Sequence, residues 1–225
     1  MLSLKMKIST LQNIKLKKSL ETLFIKKLDL MKKSNIGLYF GTFNPVHIGH
    51  LAIANYLIEN SDLDEIWMVV TPHNPHKKKS TLLDDYQRLH MVYIATEDYL
   101  KIKASNAEFS LPQPNYTVNT LAHLSEKYPN NNFTLIMGED NLKSLHKWKN
   151  YQVILDDYHI IVYPRISNGT IPEELLNHQS VTRIEAPIME ISSTMIRKGI
   201  KEGKDLRYFM HHKVQEYIEE MNFYK

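Results

Sequence analysis

Two stretches, far apart in the chain, hold the residues best suited to chemistry. The first is Gly41-Thr42-Phe43-Asn44-Pro45-Val46-His47-Ile48-Gly49-His50, and the second is Ile191-Ser192-Ser193-Thr194-Met195-Ile196-Arg197. In the first, two histidines three residues apart stand where a helical segment begins. That spacing sets both imidazoles on one side, aimed back at the turn before them. Gly49 lets a ligand approach the backbone closely. In the second, consecutive hydroxyl residues suit a helix N-cap, and Arg197 follows one turn along. Backbone N–H groups, hydroxyls, imidazoles and a guanidinium together are the equipment for holding a polyphosphate.

Weaker signals lie between them. Pro72-His73-Asn74-Pro75-His76-Lys77-Lys78-Lys79 puts prolines and a basic cluster after a strand, which reads as a phosphate-facing loop or as a solvated turn. Tyr116-Thr117 follows a loop and opens a helix, again an anion-binding geometry. Glu139-Asp140-Asn141 follows a buried strand directly. An acidic residue there can take ribose hydroxyls or merely cap a helix. Trp148, in the polar run His146-Lys147-Trp148-Lys149-Asn150, serves either as core or as a stacking face.

The elements that position these residues alternate. Ile36 to Phe40 reads as a buried parallel strand leading into the first motif. A helix from Leu51 to Ile58 leaves it, with Leu51, Ala54, Asn55 and Ile58 on one face. Glu65 to Thr71, Lys101 to Ala104, Asn132 to Gly138, His159 to Tyr163 and Val181 to Ile184 are the further strands. Helices are expected over Asp84 to Leu100, with Leu89, Val92, Tyr93 and Thr96 facing the core and Arg88 structural, and over Tyr116 to Tyr128. Residues 167–180 read as irregular, and Arg207 to Asn222 as a closing helix. Such alternation predicts an α/β fold: a Rossmann-like, doubly wound parallel sheet with a small carboxyl-terminal helical portion. In that fold, loops at the carboxyl ends of the strands bind ligands.

Composition narrows the class. The chain has 225 residues and no cysteine, which excludes disulfides, zinc–thiolate sites and thiol nucleophiles. Its net charge of +3 is unevenly spread. Residues 1–33 carry nine lysines against Glu21 and Asp29, a net of +7, so residues 34–225 carry −4. The domain expectation is therefore a lysine-rich extension over 1–33 and a mildly acidic catalytic body over 34–225. Such a body argues against nucleic-acid binding. The extension lacks a continuous apolar segment for a secretory signal, although Leu16, Leu20, Leu23, Phe24 and Leu28 could line one face of an amphipathic helix. The favoured reading is that translation begins at Met31. No stable membrane association is expected, and a cytoplasmic location is.

The two motifs resemble those of the nucleotidyltransferase superfamily, whose members transfer a nucleoside monophosphate from a nucleoside triphosphate; the first contains His-Ile-Gly-His literally. Class I aminoacyl-tRNA synthetases share that signature but also need a Lys-Met-Ser-Lys-Ser loop and an RNA-binding domain, and the sequence shows neither. The resemblance runs through five segments of residues 34–225 and is closest to the bacterial nicotinate-nucleotide adenylyltransferases. It implies adenylyl transfer from ATP to nicotinate mononucleotide, giving deamido-NAD and pyrophosphate. It casts His47, His50 and Arg197 as catalytic groups on the phosphates. Gly41, Thr42, Phe43, Gly138, Asp140, Ser193 and Thr194 complete the ATP site. Asn44, His76, Lys77, Tyr116, Thr117, Trp148 and Lys149 face the mononucleotide. Mg²⁺ is expected to be carried by ATP, with no dedicated metal cluster.

Two positions depart from the family. Asn44 stands where Asp is usual, which removes a charge near the phosphates, and Met210-His211 stands where Leu-Pro is frequent. The neighbouring alternatives are pantetheine-phosphate adenylyltransferase and a cytidylyltransferase, both usually shorter and without the Gly-Glu-Asp-Asn to Lys-Trp segment in this form. A non-enzymatic nucleotide-binding or membrane-surface protein is the remaining one. Because the body alone carries the motifs, a chain lacking residues 1–30 should keep its activity and melting temperature almost unchanged. A large fall in melting temperature on truncation would show that the extension belongs to the folded core.

Overall fold

β1 (Ser34–Gly41) is the axis of the sheet because it is apolar on both faces. Ile36 and Leu38 enter one core cluster and Tyr39 the other, as expected for a central strand covered on both sides. The chain was described from a computed structural model, over residues 33–72, 82–166 and 169–225. The lysine-rich extension and the His76 and Lys77 assignments lie outside those residues.

Among the described residues the sheet has six strands, all parallel, in the order β3-β2-β1-β4-β5-β6. The others are β2 (Glu65–Val70), β3 (Ile102–Ser105), β4 (Asn131–Gly138), β5 (His159–Tyr163) and β6 (Val181–Arg183). Strand order reverses between β1 and β4, so the loops leaving these two strands diverge and open a crevice. Both loops carry residues singled out by the sequence: Thr42–His50 after β1, and Glu139–Asp140 after β4.

Helices cover both faces. On one lie α1 (Ile48–Glu59), α2 (Asp85–Thr96), α7 (Ser193–Lys201) and α8 (His212–Glu220), contributing Leu57, Met91, Ile196 and Val214 to the core. On the other lie α3 (Thr117–Lys127), α4 (Glu139–Lys143) and α5 (Tyr151–Asp157), contributing Leu121, Leu142 and Ile154.

Several expected details are corrected. In α1 the buried face is Ile53, Ala54, Leu57 and Ile58, while Asn55 is exposed. The polar amide turns out because α1 presents only a narrow stripe to β2 and to the 3-10 turn at Arg207–Phe209. In α2, Tyr93 points outward and Arg88 inward. The helix stops at Thr96, short of Leu100, where a turn leads into β3. The stretch after β5 is not wholly irregular, since Glu173–Leu176 forms a single turn, α6, that buries Leu175. The closing helix is broken. A 3-10 turn at Arg207–Phe209 precedes α8, and His211 takes the extended N-cap conformation between them.

Arg88 supplies the main tie between α2 and the crevice. It is fully buried, and its guanidinium donates to the carbonyls of Leu83 (3.0 Å), Thr42 (2.7 Å), Thr71 (2.9 Å) and Pro72 (3.4 Å) while pairing with Asp85. One side chain thus satisfies backbone groups at the ends of β1 and β2, where the ladder stops and no strand partner exists. Replacing Arg88 by Met should cost about 3–5 kcal/mol, because buried carbonyls lose their donors together. Denaturant unfolding measures this, and a loss below about 1 kcal/mol would mean water replaces the guanidinium.

Candidate active site

The crevice between the β1 and β4 loops is a cleft of about 880 Å³. The chain enters it through Gly41, where an added Cβ would lie 2.8 Å from the Phe43 ring, so only glycine lets that ring fold back. Phe43 itself has left-handed backbone (φ 43°), an uncommon state for a bulky residue, and is 1% exposed. Its ring meets Tyr39 edge-on at 5.9 Å and His50 at 5.0 Å. The expected backbone role of Phe43 is thereby joined by a packing role: its side chain supports the second histidine.

His47 is the N-cap of α1, with extended backbone, and His50 is the third residue inside. His50 Nδ1 accepts from the His47 N–H at 3.3 Å, which leaves the proton of a neutral His50 ring on Nε2. The rings stack at 3.7 Å, 28° from parallel. His47 is almost fully buried and its Nδ1 has no hydrogen-bond partner. Burial first, and the charge of Arg165 second, push its pKa down to about 4. At neutral pH His47 is therefore an uncharged imidazole.

The second motif lies against the first. Ser192 caps α7 by accepting from the Met195 N–H at 3.2 Å. Ser193 Oγ donates to the Pro45 carbonyl at 2.9 Å, and Arg197 Nη1 donates to the Asn44 carbonyl at 2.8 Å. Arg197 Nη2 donates to Thr194 Oγ1 at 3.3 Å, so the guanidinium is held on two sides with N–H groups left for a ligand. Ser193 and Arg197 thus do two tasks, tying the first motif in place and lining the same cleft.

Asp140 enters from β4. Gly138 leaves it room: a Cβ there would sit 2.5 Å from Asp140 Oδ1. Oδ2 pairs with Arg165 at 3.5 Å, while Oδ1 is buried without a partner. Tyr116, Thr117, Trp148 and Lys149 line the cleft as well. Tyr116 is the N-cap residue of α3, and its side chain accepts nothing from the first turn. Lys149 Nζ lies 4.5 Å from the Tyr116 ring centre, a cation–π contact that joins two separately flagged segments. Trp148 is half-buried, packing against the core while also lining the cleft.

Asn44 also lines the cleft, but it is 1% exposed and its Oδ1 accepts from Tyr224 Oη at 2.8 Å and from the Leu83 N–H at 3.3 Å. Arg165, Tyr163, Glu108 and Asn115 are among the cleft residues given no role by the sequence. Arg165 follows the carboxyl end of β5, a position that could have flagged it. Tyr163, whose hydroxyl lies 3.3 Å from that of Tyr39, looked like ordinary strand filling. Glu108 and Asn115 fell in a loop without motif spacing. Glu108 is buried, its carboxyl pushed up by that burial, and it accepts from Thr120 Oγ1 at 2.7 Å.

The His47 imidazole makes stability depend on pH with a definite sign. Between about pH 6.5 and pH 4 the unfolded chain binds a proton that the folded chain refuses, so stability falls as pH falls through that window. The loss attributable to this residue should be on the order of 3 kcal/mol at most. Denaturant unfolding of the parent and of His47→Asn at pH 6.5 and pH 4 measures it. The variant should lose less than the parent by that amount, and equal losses would mean the folded state accepts the proton.

Comparison with known proteins agrees with this geometry. The Cytidylyltransferase-like family matches residues 38–199, which span both motifs. A Flavobacterium psychrophilum protein named "Probable nicotinate-nucleotide adenylyltransferase" is 65% identical over 190 residues, covering 84% of this chain and 98% of the relative. One of the same name from Bacteroides thetaiotaomicron is 45% identical over 192 residues, 84% and 92% of the two chains. The solved nicotinic acid mononucleotide adenylyltransferase of Plasmodium falciparum, complexed with NaAD, superposes with a TM-score of 0.73 over 85% of this chain and 97% of that one. At 23% identity that likeness speaks for the fold. The chain belongs to the nicotinate-nucleotide adenylyltransferase family, within the cytidylyltransferase-like nucleotidyltransferases.

Proposed function

We propose that the protein transfers the adenylyl group of ATP to nicotinate mononucleotide, forming deamido-NAD and releasing pyrophosphate. The observation that carries this reading is the convergence of His50, Arg197 and the N-termini of α1 and α7 on one cleft at the switch point of a parallel sheet. The names of its family relatives support it, and the Plasmodium falciparum structures complexed with NaAD and with APC are of the same fold.

ATP enters as its magnesium complex, the ion neutralising phosphate charge. A phosphate oxygen of the mononucleotide attacks the α-phosphorus in line. The bond from that phosphorus to the bridging oxygen breaks, and pyrophosphate departs with its electron pair. Nothing covalent passes through the protein, so its work is positioning and stabilising charge as it develops. His50 donates from Nε2 to a phosphoryl oxygen. His47, kept neutral by burial, supports the stacked ring without adding a charge that would hold the product. The remaining donors of Arg197, with Thr194 and the first turn of α7, take the β- and γ-phosphates. Asp140 at the end of β4 accepts from ribose hydroxyls of the adenosine. Asn44 backs the mononucleotide side through the loop it anchors, and the masking of charge by an amide suits a phosphate neighbour.

The pyridine ring stacks on Trp148, and its carboxylate lies at the amino end of α3 by Tyr116 and Thr117, close to Lys149. A carboxylate offers acceptors alone and so satisfies N–H donors there, whereas a carboxamide would turn an NH₂ toward one of them. A mismatched buried pair costs about 1–3 kcal/mol per group, which corresponds to a preference of roughly tenfold to several hundredfold for the acid. Pyrophosphate release with ATP and either mononucleotide gives the two kcat/KM values directly. Equal values, or a preference for the amide, would refute this pocket. The same assay with CTP, or with phosphopantetheine as acceptor, excludes the sister activities. His50→Ala should lower kcat by about 2–4 kcal/mol of transition-state stabilisation without loss of fold. A folded variant with near-normal turnover would remove His50 from the chemistry.

A further inference from the structure

The penultimate residue of the chain reaches the first motif. Tyr224 Oη donates to Asn44 Oδ1 at 2.8 Å, a shorter bond than the 3.3 Å one from the Leu83 N–H to the same oxygen. Asn44 is itself 1% exposed, and its carbonyl takes the Arg197 bond at 2.8 Å. Residue 44 is therefore gripped by at least three parts of the chain: the tail after α8, the approach to α2 and the second turn of α7.

The tail that delivers this hydroxyl is built rather than loose. Phe223 is 8% exposed, meets Tyr217 edge-on at 5.5 Å, and its N–H donates to the Ile218 carbonyl at 3.0 Å. Tyr224 takes left-handed backbone (φ 65°), and its ring packs against the core. The charges that face it are Arg88 and Arg197, and burial outweighs both, pushing the phenol up so that it stays a neutral donor at any working pH. A neutral O–H is what a buried amide oxygen needs, since it satisfies the acceptor without adding charge beside the phosphates.

We propose that Tyr224 is a positioning residue for adenylyl transfer, its hydroxyl setting Asn44 and, through Asn44, the loop that carries His47 and His50 and the carbonyl that orients Arg197. This rests on the reading of the cleft as the adenylyl-transfer site. It assigns a task to the chain terminus that no motif in the sequence announces. Tyr224 touches no substrate in this scheme. It acts by holding the loop in the one arrangement that suits the transition state, and small displacements of such a loop reduce rate steeply.

The test is Tyr224→Phe in the full chain, which keeps the ring and removes the oxygen. Two measurements are made. Steady-state pyrophosphate release should show kcat reduced about 5- to 50-fold, with KM for ATP and for nicotinate mononucleotide within about twofold of the parent. Adding Tyr224→Phe to Asn44→Ala should reduce kcat no further than Asn44→Ala does alone, because the two act as one unit. Backbone hydrogen exchange of the unliganded protein should be about tenfold faster or more at residues 41–50 and at the Leu83 amide, with β4 unchanged. Unchanged exchange at these amides overturns the proposal. So does faster exchange with unchanged kcat, or an equal fold-loss in the parent and Asn44→Ala backgrounds. If the parent itself releases no pyrophosphate from these substrates, the functional reading fails while the exchange measurement still decides whether Tyr224 holds the loop.

Discussion

The structure depends on satisfying the backbone of one buried loop. Between Gly41 and Pro45 the chain has left β1 and not yet entered α1, so its carbonyls have neither ladder nor helix to accept from. Four of them, all but that of Phe43, are met from elsewhere. The Thr71 N–H reaches Gly41 at 2.9 Å, Arg88 reaches Thr42, Arg197 reaches Asn44 and Ser193 reaches Pro45. A buried carbonyl left unpaired costs as much as the bond it lacks, so these four contacts are obligatory rather than decorative. Because the donors come from β2, α2 and α7, meeting them brings together segments up to 153 residues apart. The site is assembled as a by-product of backbone accounting.

That origin explains why the same side chains serve fold and chemistry. Arg197 cannot swing freely, since two of its N–H groups are occupied within the protein. What remains of its fork is already oriented, which lowers the cost of ordering it around a phosphate. His50 is likewise fixed, by the His47 N–H at one nitrogen, by the stacked imidazole on one face and by the edge of Phe43. Catalysis by charge stabilisation gains most from groups that do not reorganise during the reaction. The packing that buries Phe43 in its left-handed conformation is in this sense part of the electrostatics.

Charge is distributed with the same economy. His47, closest to the helix start, is neutral, while the positive groups of the cleft are arginines and lysines. The helix N-termini add partial positive charge without a titrating group.

The amino-acid sequence by itself determined the class of fold and the two motifs that line the cleft. Apolar runs such as Ile36 to Phe40 and Phe133 to Met137 can be buried on both faces only in a parallel sheet under two helical layers, and that requirement is local and legible. The histidines and the Ser-Ser-Thr segment were legible for a similar reason: their task needs fixed types at fixed spacing within one turn. What the tertiary structure decided concerns residues whose partners lie far along the chain. Arg88 was read as structural without a partner, and its inward direction follows from carbonyls at the ends of two strands that no helical periodicity encodes. Tyr93 and Asn55 were assigned inward on spacing alone, yet the buried faces of their helices run through Arg88, Met91 and Val92 and through Ile53, Ala54 and Leu57. Tyr163, Arg165 and Glu108 carry no motif, because a residue joins a cleft by where its strand ends in the sheet, and that depends on strand order. Trp148 could be given two readings from sequence because its local run is polar while its ring packs on the core and lines the cleft. The break before α8 and the approach of Tyr224 to Asn44 likewise waited on the third dimension, since hydrogen bonds across 180 residues are chosen by packing and not by neighbours in the chain.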